Sequence, residues 1–395
     1  MLIPDDDHRA LAARLDLCHF EEDAPGMVYW HPRGWTLYRL LEDAARAHVL
    51  AAGYREVCAP QLVRRRIWET SGHWREFRSS MFAFGAGAEE AALKPVSCPG
   101  HIQLVQRMAP SWRELPLRLA EFGLVHRDEA DGALHGLMRL RQFTQDDGHI
   151  FCAPDRVADE VARFCRELRP FYRRFGIADL SAALSLRPPN RVGSDEWWDR
   201  AERELTDVVA SLGIPVDVMP GEGAIYGPKL ELILRDRRDR PWQLGTIQLD
   251  YVLPQQFDLR YVAPSGERAH VVMLHRALFG SIERFLGVLL EHHGARLPAW
   301  LAPDQLALLP VAPRHEARAR ELLDQTALRV RVDDSSTTLA RRIAQAHHDG
   351  VPFVGVLGDR ELADGTLSVR AGDEQWTAPA SEALARVTGS ASRPA

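Results

Sequence analysis

The chain has 395 residues, of which 46% are hydrophobic and 26% charged, and its formal net charge is −6. This length exceeds one ordinary hydrophobic core and predicts two or three domains. Its long apolar runs are broken by Arg, Asp or Glu before the roughly 18 residues that a membrane span needs, which argues against a membrane protein. Asp5, Asp6 and Asp7 stand where a signal peptide carries positive charge, so we expect a cytoplasmic protein.

Cysteine and lysine are both sparse. Five scattered cysteines without a Cys-x-x-Cys pair are too few for a disulfide framework and predict mostly buried thiols. The acidic balance gives no general polycation signal, so a nucleic acid would have to bind local patches. Lys94 and Lys229 are the only lysines among 49 lysines and arginines. Taken alone, this pattern fits chance survival as well as a need for a compact ammonium at two positions.

The elements of the first 300 residues indicate a mixed α+β domain. An amphipathic helix is predicted over 35–52, ended by Gly53, with a strand over 54–58. Strands over 118–127 and 139–143 are predicted to be joined by a polar loop, and a helical stretch covers 276–293. The spacing does not suggest repeated βαβ units, so we expect an antiparallel sheet flanked by helices. No glycine-rich phosphate loop occurs, so side chains would have to hold a bound nucleotide.

A second domain is predicted after a proline-bracketed break at 297–303. Strands and helices alternate beyond it, which is typical of a small α/β domain. The predicted elements are a strand over 306–311, a helix over 314–324, a strand over 329–333, a helix over 339–348 and a strand over 353–357. We therefore predict one domain over 1–301 and another over 302–395.

Three segments together resemble the signature motifs of the class II aminoacyl-tRNA synthetases. The helix and strand that end at Pro60 resemble the dimer-forming motif 1, residues 122–129 with 139–143 resemble motif 2, and residues 280–284 resemble motif 3. The resemblance is to the threonyl-tRNA synthetases over about residues 7–387. It rests on five further blocks, which are KPVSCPGH from 94, LHGLMR from 134, FTQDDGH from 143, GEGAIYGPK from 221 and WQLGTIQLD from 242. Both lysines lie inside such blocks, which favours a functional reason for keeping them.

The resemblance implies an ATP site built from side chains, with Mg²⁺ accompanying the nucleotide. Charge on the phosphate oxygens needs fixed cations, and a planar guanidinium can also stack on a base. Lys229 is implied as a point charge near the reacting phosphate. The other implied contacts are Arg127 on the α-phosphate, Arg139 on the γ-phosphate, Glu129 on the adenine amine, Phe143 and Arg284 on the faces of the base, and Gln243 on the ribose.

The resemblance also implies one zinc ion, held by Cys98, His149 and His275. Their separations of 51 and 126 residues follow no local metal-ligand spacing, but a thiolate with two imidazoles suits zinc and leaves coordination positions open. In the family those positions take the amine and hydroxyl of threonine. The remaining implied residues are Asp147, Gln145, Tyr226 and Gln248 as amino-acid contacts and His73 as the histidine that assists acyl transfer to tRNA.

Some features depart from the family pattern. The match begins at the catalytic domain, so a form without the N-terminal and editing domains is expected, with serine rejected incompletely and a trans-editing factor possible as a partner. Leu244 stands where cysteine is common, and Gln142 where glycine is common. In the second domain, which resembles the anticodon-binding domain, residues 335–337 read Ser-Ser-Thr in place of an Arg-Asn-Glu-like segment, and Gly350 replaces a common arginine.

Three functions therefore stay open at this point. The leading one is a homodimeric, cytoplasmic ligase that activates L-threonine with ATP and charges tRNA(Thr). A second keeps threonine adenylation but transfers the acyl group to a carrier protein or a small molecule. A third is a non-catalytic, synthetase-like RNA-binding regulator, against which the retention of Arg127, Glu129, Lys229 and Arg284 together argues.

Overall fold

A computed structural model describes residues 4–236 and 239–394, and two large β-sheets organise them. Numbered in chain order, the strands are β1 (Cys18–His19), β2 (Tyr29–Trp30), β3 (Arg55–Glu56), β4 (Leu62–Arg64), β5 (Ala83–Phe84), β6 (Ala91–Leu93), β7 (Leu117–His126), β8 (Gln142–Cys152), β9 (Ser181–Ser185), β10 (Asp217–Met219), β11 (Lys229–Arg235), β12 (Pro241–Asp250), β13 (Arg260–Val262), β14 (Arg268–His270), β15 (Val272–Ser281), β16 (Leu306–Pro310), β17 (Val330–Val332), β18 (Phe353–Leu357), β19 (Thr366–Ala371) and β20 (Glu374–Pro379).

The helices surround these sheets. In chain order they are α1 (His8–Arg14), α2 (Pro32–Ala51), α3 (Arg65–Thr70), α4 (His73–Glu76), α5 (Cys98–Met108), α6 (Val157–Arg173), α7 (Asp195–Ser211), α8 (Val252–Gln256), α9 (Ile282–His293), α10 (Glu316–Asp324), α11 (Leu339–His348), α12 (Asp359–Asp364) and α13 (Ala380–Ser390). Short 3₁₀ turns lie at Arg78–Ser80, Gly87–Glu89, Asp131–Ala133, Pro154–Arg156 and Pro313–His315.

The larger sheet has eight strands in the order β10-β9-β11-β12-β15-β8-β7-β3. Its central pairs are antiparallel, and the two edge pairs, β10 with β9 and β3 with β7, are parallel. Helices α6 and α9 pack against the central strands, and the apolar core of the first domain lies between these layers. The predicted antiparallel sheet flanked by helices is confirmed.

Several predicted boundaries in this domain are wrong. Residues 276–281 belong to β15 and not to a helix, because β15 pairs with β12 on one side and with β8 on the other. β15 is buried on both faces and lacks regular apolar–polar alternation, so periodicity alone does not distinguish it from a buried helix. Residues 139–141 follow a turn, with Arg139 in an isolated bridge to His135, and β8 begins at Gln142. Helix α2 begins earlier than predicted, at Pro32, where the fixed φ of proline suits a first helical position.

The second sheet has five strands in the order β17-β16-β18-β19-β20. Strands β17, β16 and β18 are parallel, and β19 and β20 complete the sheet antiparallel. The predicted strands and helices between 306 and 357 are confirmed here, with α11 and β18 at the predicted bounds. Its apolar cluster is formed by residues from Leu306 to Ala391. The domain division at 301/302 stays a prediction.

The cysteines are free thiols, and Gly350 has a backbone conformation that favours glycine. All five cysteines are free, and Cys18, Cys98 and Cys152 are buried while Cys58 is exposed. Gly350 has φ +74°, and a Cβ there would lie 2.4 Å from the carbonyl oxygen of Ala295, so an arginine could not be accommodated in this geometry. Among the residues that the structure describes, no helix is long and apolar enough to cross a membrane.

Candidate active site

The candidate site is built on the register of three neighbouring strands, β8, β15 and β12. His275 is directly opposite His149 on one side and Gln248 on the other, so the three side chains form one row across the sheet. Side chains two residues apart share a face of a strand. Phe143, Gln145, Asp147 and His149 therefore project from the same face of β8, and the sheet itself gathers residues that lie far apart in sequence.

Cys98, His149 and His275 come together at one end of this row. One ligand atom from each lies within 4.8 Å of the others, and all three residues are buried. The thiol comes from the first residue of α5, where the helix dipole favours a thiolate. Burial, with the nearby Asp147 and Asp250 carboxylates, raises the pKa of the Cys98 thiol well above its ordinary value. A cation bound to the sulfur would instead lower the pKa of Cys98 and favour the thiolate.

The hydrogen bonds of His275 fix which of its nitrogens carries the proton. Nε2 lies 2.9 Å from Asp250 Oδ2, and the other oxygen of Asp250 accepts the backbone N–H groups of Val252 and Leu253. A carboxylate only accepts, so Nε2 of His275 donates. In a neutral ring Nδ1 then carries the lone pair, which points at His149.

The orientation of His149 is set by a buried chain of polar groups. Its Nδ1 lies 2.7 Å from Nδ1 of His101, whose Nε2 lies 2.9 Å from Glu121 Oε2. The other oxygen of Glu121 lies 2.6 Å from the ammonium of Lys94, which is only 1% exposed. Nε2 of His101 donates to the Glu121 carboxylate, so in the neutral ring Nδ1 of His101 accepts from Nδ1 of His149. In a neutral ring Nε2 of His149 then carries the lone pair.

Two lone pairs therefore face each other across 3.1 Å, Nε2 of His149 and Nδ1 of His275. No proton is available between them when both rings are neutral, and burial, aided by the His101 and His275 rings, keeps the pKa of His149 well below its ordinary value. A cation resolves this arrangement, and the donor set of one sulfur and two imidazole nitrogens with an open side suits zinc. The residues present thus fit a zinc ion.

A polar cavity adjoins this group and collects most of the residues implied to bind ATP. Its wall includes Arg127, Glu129, Arg139, Phe143, Gln145, Gln243, Gln248 and Arg284. Burial and then the neighbouring charges of Arg127 and Arg139 lower the pKa of Arg284. Three guanidinium groups crowd around one carboxylate, which is an environment that favours a polyanionic ligand.

Arg127 and Arg139 already have partners in this cavity. The guanidinium carbon of Arg127 lies 5.1 Å from the ring centroid of Phe143, and its Nε donates to the carbonyl of Pro95. Arg139 bonds Glu129 through Nε and Nη2 at 3.0 and 2.8 Å, although the two residues are assigned to opposite ends of ATP. Arg139 is half exposed, so opening this ion pair costs about 1 kcal/mol or less.

The implied amino-acid contacts lie between the cavity and the Cys/His group. Tyr226 stacks on His275 with ring centroids 4.5 Å apart, and Asp147 Oδ1 lies 3.6 Å from Nε2 of His149. The side-chain oxygens of Gln248 and Thr246 are buried without a hydrogen-bond partner among the described residues, and both residues line the cavity. A buried acceptor without a donor is costly, so these atoms are suited to a ligand that donates.

Lys229 and His73 lie at the margins of this arrangement. The ammonium of Lys229 donates to Glu231 at 2.7 Å, and although Lys229 pairs with Gln248 along the backbone, the structure does not place it in the cavity wall. The Nδ1 of His73 lies 2.8 Å from Ser71 Oγ, which donates to a carbonyl oxygen of α3. Nδ1 of His73 therefore donates to Ser71 Oγ, and Nε2 carries the lone pair of the neutral ring. Burial, then the charges of His275 and Arg127, lowers the pKa of His73 to about 4.

The residues that differ from the family pattern lie in different parts of the structure. Leu244 is buried and lines the cavity, whereas Gln142 lies at the start of β8 and contacts His126. Ser335 and Thr337 are exposed and hydrogen-bond each other at 3.3 Å. Only the leucine is placed where it can shape the cavity.

Several residues of the site are not found from sequence. His101, Glu121, Asp250 and Ser71 receive no role in the sequence predictions, although they determine how His149, His275 and His73 are oriented. The signals available for them are the rarity of lysine, through Lys94, and the family-like blocks that end at His101 and at Asp250.

Comparison with known proteins defines the class to which this fold and site belong. Residues 82–293 match the tRNA synthetase class II core domain (G, H, P, S and T), and residues 305–389 match an anticodon binding domain. The crystal structure of the RNA binding domain of threonyl-tRNA synthetase from Cryptosporidium parvum Iowa II superposes with a TM-score of 0.94 at 35% identity, covering 98% of this chain and 99% of that one. The chain belongs to the threonyl-tRNA synthetase family.

Curated bacterial relatives agree. A threonine–tRNA ligase from Rickettsia bellii is 45% identical over 367 residues, and one from Leptothrix cholodnii is 45% identical over 372 residues. These alignments cover 92% and 93% of this chain. The chain spans 58% of the length of either relative.

Proposed function

We propose that this protein activates L-threonine with ATP and transfers the threonyl group to tRNA(Thr). The observation that carries the proposal is the junction of two sites: a cavity with three guanidinium groups around one carboxylate adjoins a buried Cys/His group with two converging lone pairs. The first suits the phosphates of a nucleotide and the second a zinc ion. In this proposal an amino-acid carboxylate binds beside the α-phosphate at that junction.

In the first step a carboxylate oxygen of threonine attacks the α-phosphorus of ATP. The bond from the α-phosphorus to the bridging oxygen breaks, and pyrophosphate leaves with the electron pair of that bond. Arg127 and Arg284, held by Pro95 and by the carbonyl of Met138, are fixed before the reaction. Fixed cations stabilise the charge on the phosphorus oxygens without reorganisation. Mg²⁺ is proposed to bind with the nucleotide and Glu129 to accept from the adenine amine after Arg139 turns to the phosphates.

Cys98, His149 and His275 are proposed to hold zinc, which as a Lewis acid would bind the substrate amine and hydroxyl. The side-chain oxygens of Asp147 and Gln248 are proposed to accept hydrogen bonds from the same groups; the position of Asp147 Oδ1, 3.6 Å from Nε2 of His149, and the unpartnered oxygen of Gln248 support this. Gln145, which lines the adjoining cavity, and Tyr226, which stacks on His275, are proposed as further contacts. Threonine satisfies this set, while an amino acid without a hydroxyl leaves buried acceptors unpaired.

In the second step a ribose hydroxyl at the end of the tRNA attacks the acyl carbon, and AMP leaves. The hydroxyl must lose a proton. Nε2 of the neutral His73 ring carries a lone pair, and the hydrogen bond from Nδ1 to Ser71 fixes the orientation of the ring. We assign the proton to this nitrogen. Lys229 is proposed to serve as a point charge near the reacting phosphate after its ammonium leaves Glu231, to which it donates at 2.7 Å.

The match of residues 305–389 to an anticodon binding domain supports tRNA over a carrier protein or a small molecule as the acceptor. The homodimer and the cytoplasmic location are part of this proposal. A trans-editing factor as a further partner is an expectation from the chemistry of the pocket, because serine retains the hydroxyl that the pocket recognises.

The test is threonine-dependent exchange of pyrophosphate with ATP, followed by transfer of labelled threonine to total tRNA with the same zinc-loaded preparation. Both reactions are expected. Arg127→Lys is the matched variant, because lysine keeps the charge but loses the planar contact with Phe143, and exchange should fall about 100-fold. Exchange without transfer would favour another acceptor, and no exchange would contradict the proposal.

A further inference from the structure

His8, in the N-terminal helix α1, joins two elements of the nucleotide cavity. Its ring is fully buried. Nδ1 lies 2.8 Å from Oε1 of Glu291 on α9, the helix that carries Arg284. Nε2 lies 3.2 Å from the backbone nitrogen of Leu137, which lines the cavity. A residue 129 positions away from Leu137 in sequence thus reaches the loop that borders the proposed ATP site.

The protonation of this imidazole follows from its partners. The backbone N–H of Leu137 can only donate, so Nε2 of His8 accepts and the proton lies on Nδ1. Nδ1 donates to Glu291, whose Oε1 also accepts the backbone N–H of His8 at 3.2 Å. Asp7, His8 and His135 have ligand atoms within 4.8 Å of one another. Both ring nitrogens of His8 are committed to protein groups, however, so this cluster is a hydrogen-bond junction and not a metal site.

The loop is shaped to meet this histidine. Gly136 has φ +49°, and a Cβ there would lie 2.3 Å from Nε2 of His8, so only glycine allows the ring to approach. On its other side the loop is bound to α9, because the carbonyl of Met138 accepts Nε of Arg284 at 3.0 Å. Leu137 and Met138 also pack closely over Gly287 of α9. The loop is therefore fixed between His8 and the helix of Arg284.

We propose that His8 is a positioning residue for the nucleotide site. Its Nε2 fixes the backbone at Leu137, and through the adjoining carbonyl of Met138 it fixes the guanidinium of Arg284. This inference rests on the proposed function of the cavity as the ATP site. It concerns ATP affinity and leaves the Cys/His group untouched, so threonine recognition should be independent of it.

Two substitutions separate the two hydrogen bonds of the ring. In His8→Gln the side-chain oxygen can take the place of Nε2 and accept from Leu137, whereas the bond to Glu291 is lost. In His8→Asn the amide can donate to Glu291 as Nδ1 does, but the N–H of Leu137 is left buried without an acceptor. Each variant loses one hydrogen bond, so a merely structural role predicts similar losses of thermal stability and similar kinetics.

We expect His8→Asn to raise the KM for ATP in pyrophosphate exchange about 10-fold while the KM for threonine stays within about 2-fold. His8→Gln should leave both constants within about 2-fold of wild type. Equal changes in the two variants, or a fall in kcat with unchanged KM for ATP, would overturn the proposal. Direct titration of ATP by calorimetry on the same proteins gives the same ranking without catalysis, so a failure of the proposed function is distinguishable from a failure of this inference.

A second pair of variants approaches the contact from the loop. Gly136→Ala forces the loop away from His8 and should also weaken ATP binding about 10-fold. Gly132→Ala, in the same loop, is the matched control, because a Cβ there meets nothing within 4 Å. If Gly136→Ala and Gly132→Ala bind ATP equally, His8 does not position the loop.

Discussion

The Nδ1 atom of His101 lies 2.7 Å from the Nδ1 atom of His149, so a residue outside the Cys/His group decides which nitrogen of His149 faces the thiol. Glu121 and Lys94 continue this chain beyond His101. Outer partners of this kind fix the tautomer of a metal-binding histidine and raise its basicity. The buried Lys94–Glu121 pair is thereby connected to the proposed zinc site.

Removal of the His101 acceptor is therefore expected to weaken zinc binding. His101→Ala should lower zinc affinity about 10- to 100-fold, because the ring of His149 can then rotate and present a protonated nitrogen. His101→Asn, whose side-chain oxygen can replace Nδ1 as acceptor, should bind zinc nearly as wild type does. Competition with a chromophoric chelator measures both, and circular dichroism controls for folding. Equal zinc affinity in His101→Ala and wild type would contradict the assigned role.

The pocket should discriminate unequally against the two amino acids that resemble threonine. Valine lacks the hydroxyl and leaves acceptors such as Gln248 Oε1 unpaired, so kcat/KM for exchange should fall about 10⁴-fold or more. Serine lacks one methyl group, which is worth about 10- to 200-fold. Exchange assays over a range of amino-acid concentrations that extends below KM test this order. Undetectable serine activation would show that shape, and not the hydroxyl, dominates recognition.

Acyl transfer should be insensitive to pH across the neutral range. With a pKa of about 4, His73 is already deprotonated above about pH 5 and can accept the ribose proton, so its contribution is lost only on acidification. Single-turnover transfer from preformed adenylate should be flat from about pH 6 to 8 and fall below about pH 5. A rate that rises between pH 6 and 7.5 would assign an ordinary imidazole instead. Ser71→Ala should slow transfer and leave pyrophosphate exchange unchanged.

Folding stability should carry a signature of Glu283, at the first turn of α9. Burial raises the pKa of this carboxyl from 4.5 to about 7, despite hydrogen bonds from Thr144 and Ser281. The folded protein therefore keeps a proton that the unfolded chain releases near pH 4.5. Its stabilising contribution is complete below pH 4.5 and is lost as the pH rises to 7, a change of roughly 3 kcal/mol.

The variant Glu283→Gln isolates this effect. Between pH 4.5 and 7.5 the free energy of unfolding of wild type, measured in urea, should decrease by roughly 3 kcal/mol more than that of the variant. Parallel pH curves for the two proteins would mean that the carboxyl is not buried as the structure has it.

Local patterns predict the second domain well and the first one less so. Helix α11 and strand β18 have clear apolar periodicity between polar turns, and their bounds follow from it. Strand β15 is buried on both faces and lacks alternation, so the sequence pattern predicts a helix over part of it. Its identity is decided by the strands on either side, which local periodicity does not reveal.

The same distinction applies to the site. Phe143, Gln145, Asp147 and His149 alternate along one strand, and a reader of the sequence could place them on one face. Their meeting with His275 depends on register between strands 126 residues apart. Oriented partners such as His101 and Asp250 need atomic positions, since a histidine in an apolar segment gives no sign of which nitrogen is protonated.

The two lysines lend the protein a further property. Lys94 is buried on Glu121, and Lys229 is largely covered and bound to Glu231. An amine-reactive reagent can modify the side chain of Lys94 only when the surrounding structure opens transiently. With two lysines in the chain, mass spectrometry of acylated peptides can follow each position separately. The rate of Lys94 acylation would then measure how often the structure around the chain from Lys94 through Glu121 and His101 to His149 opens. A slower rate with added zinc or threonine would measure how strongly each ligand stabilises the closed structure.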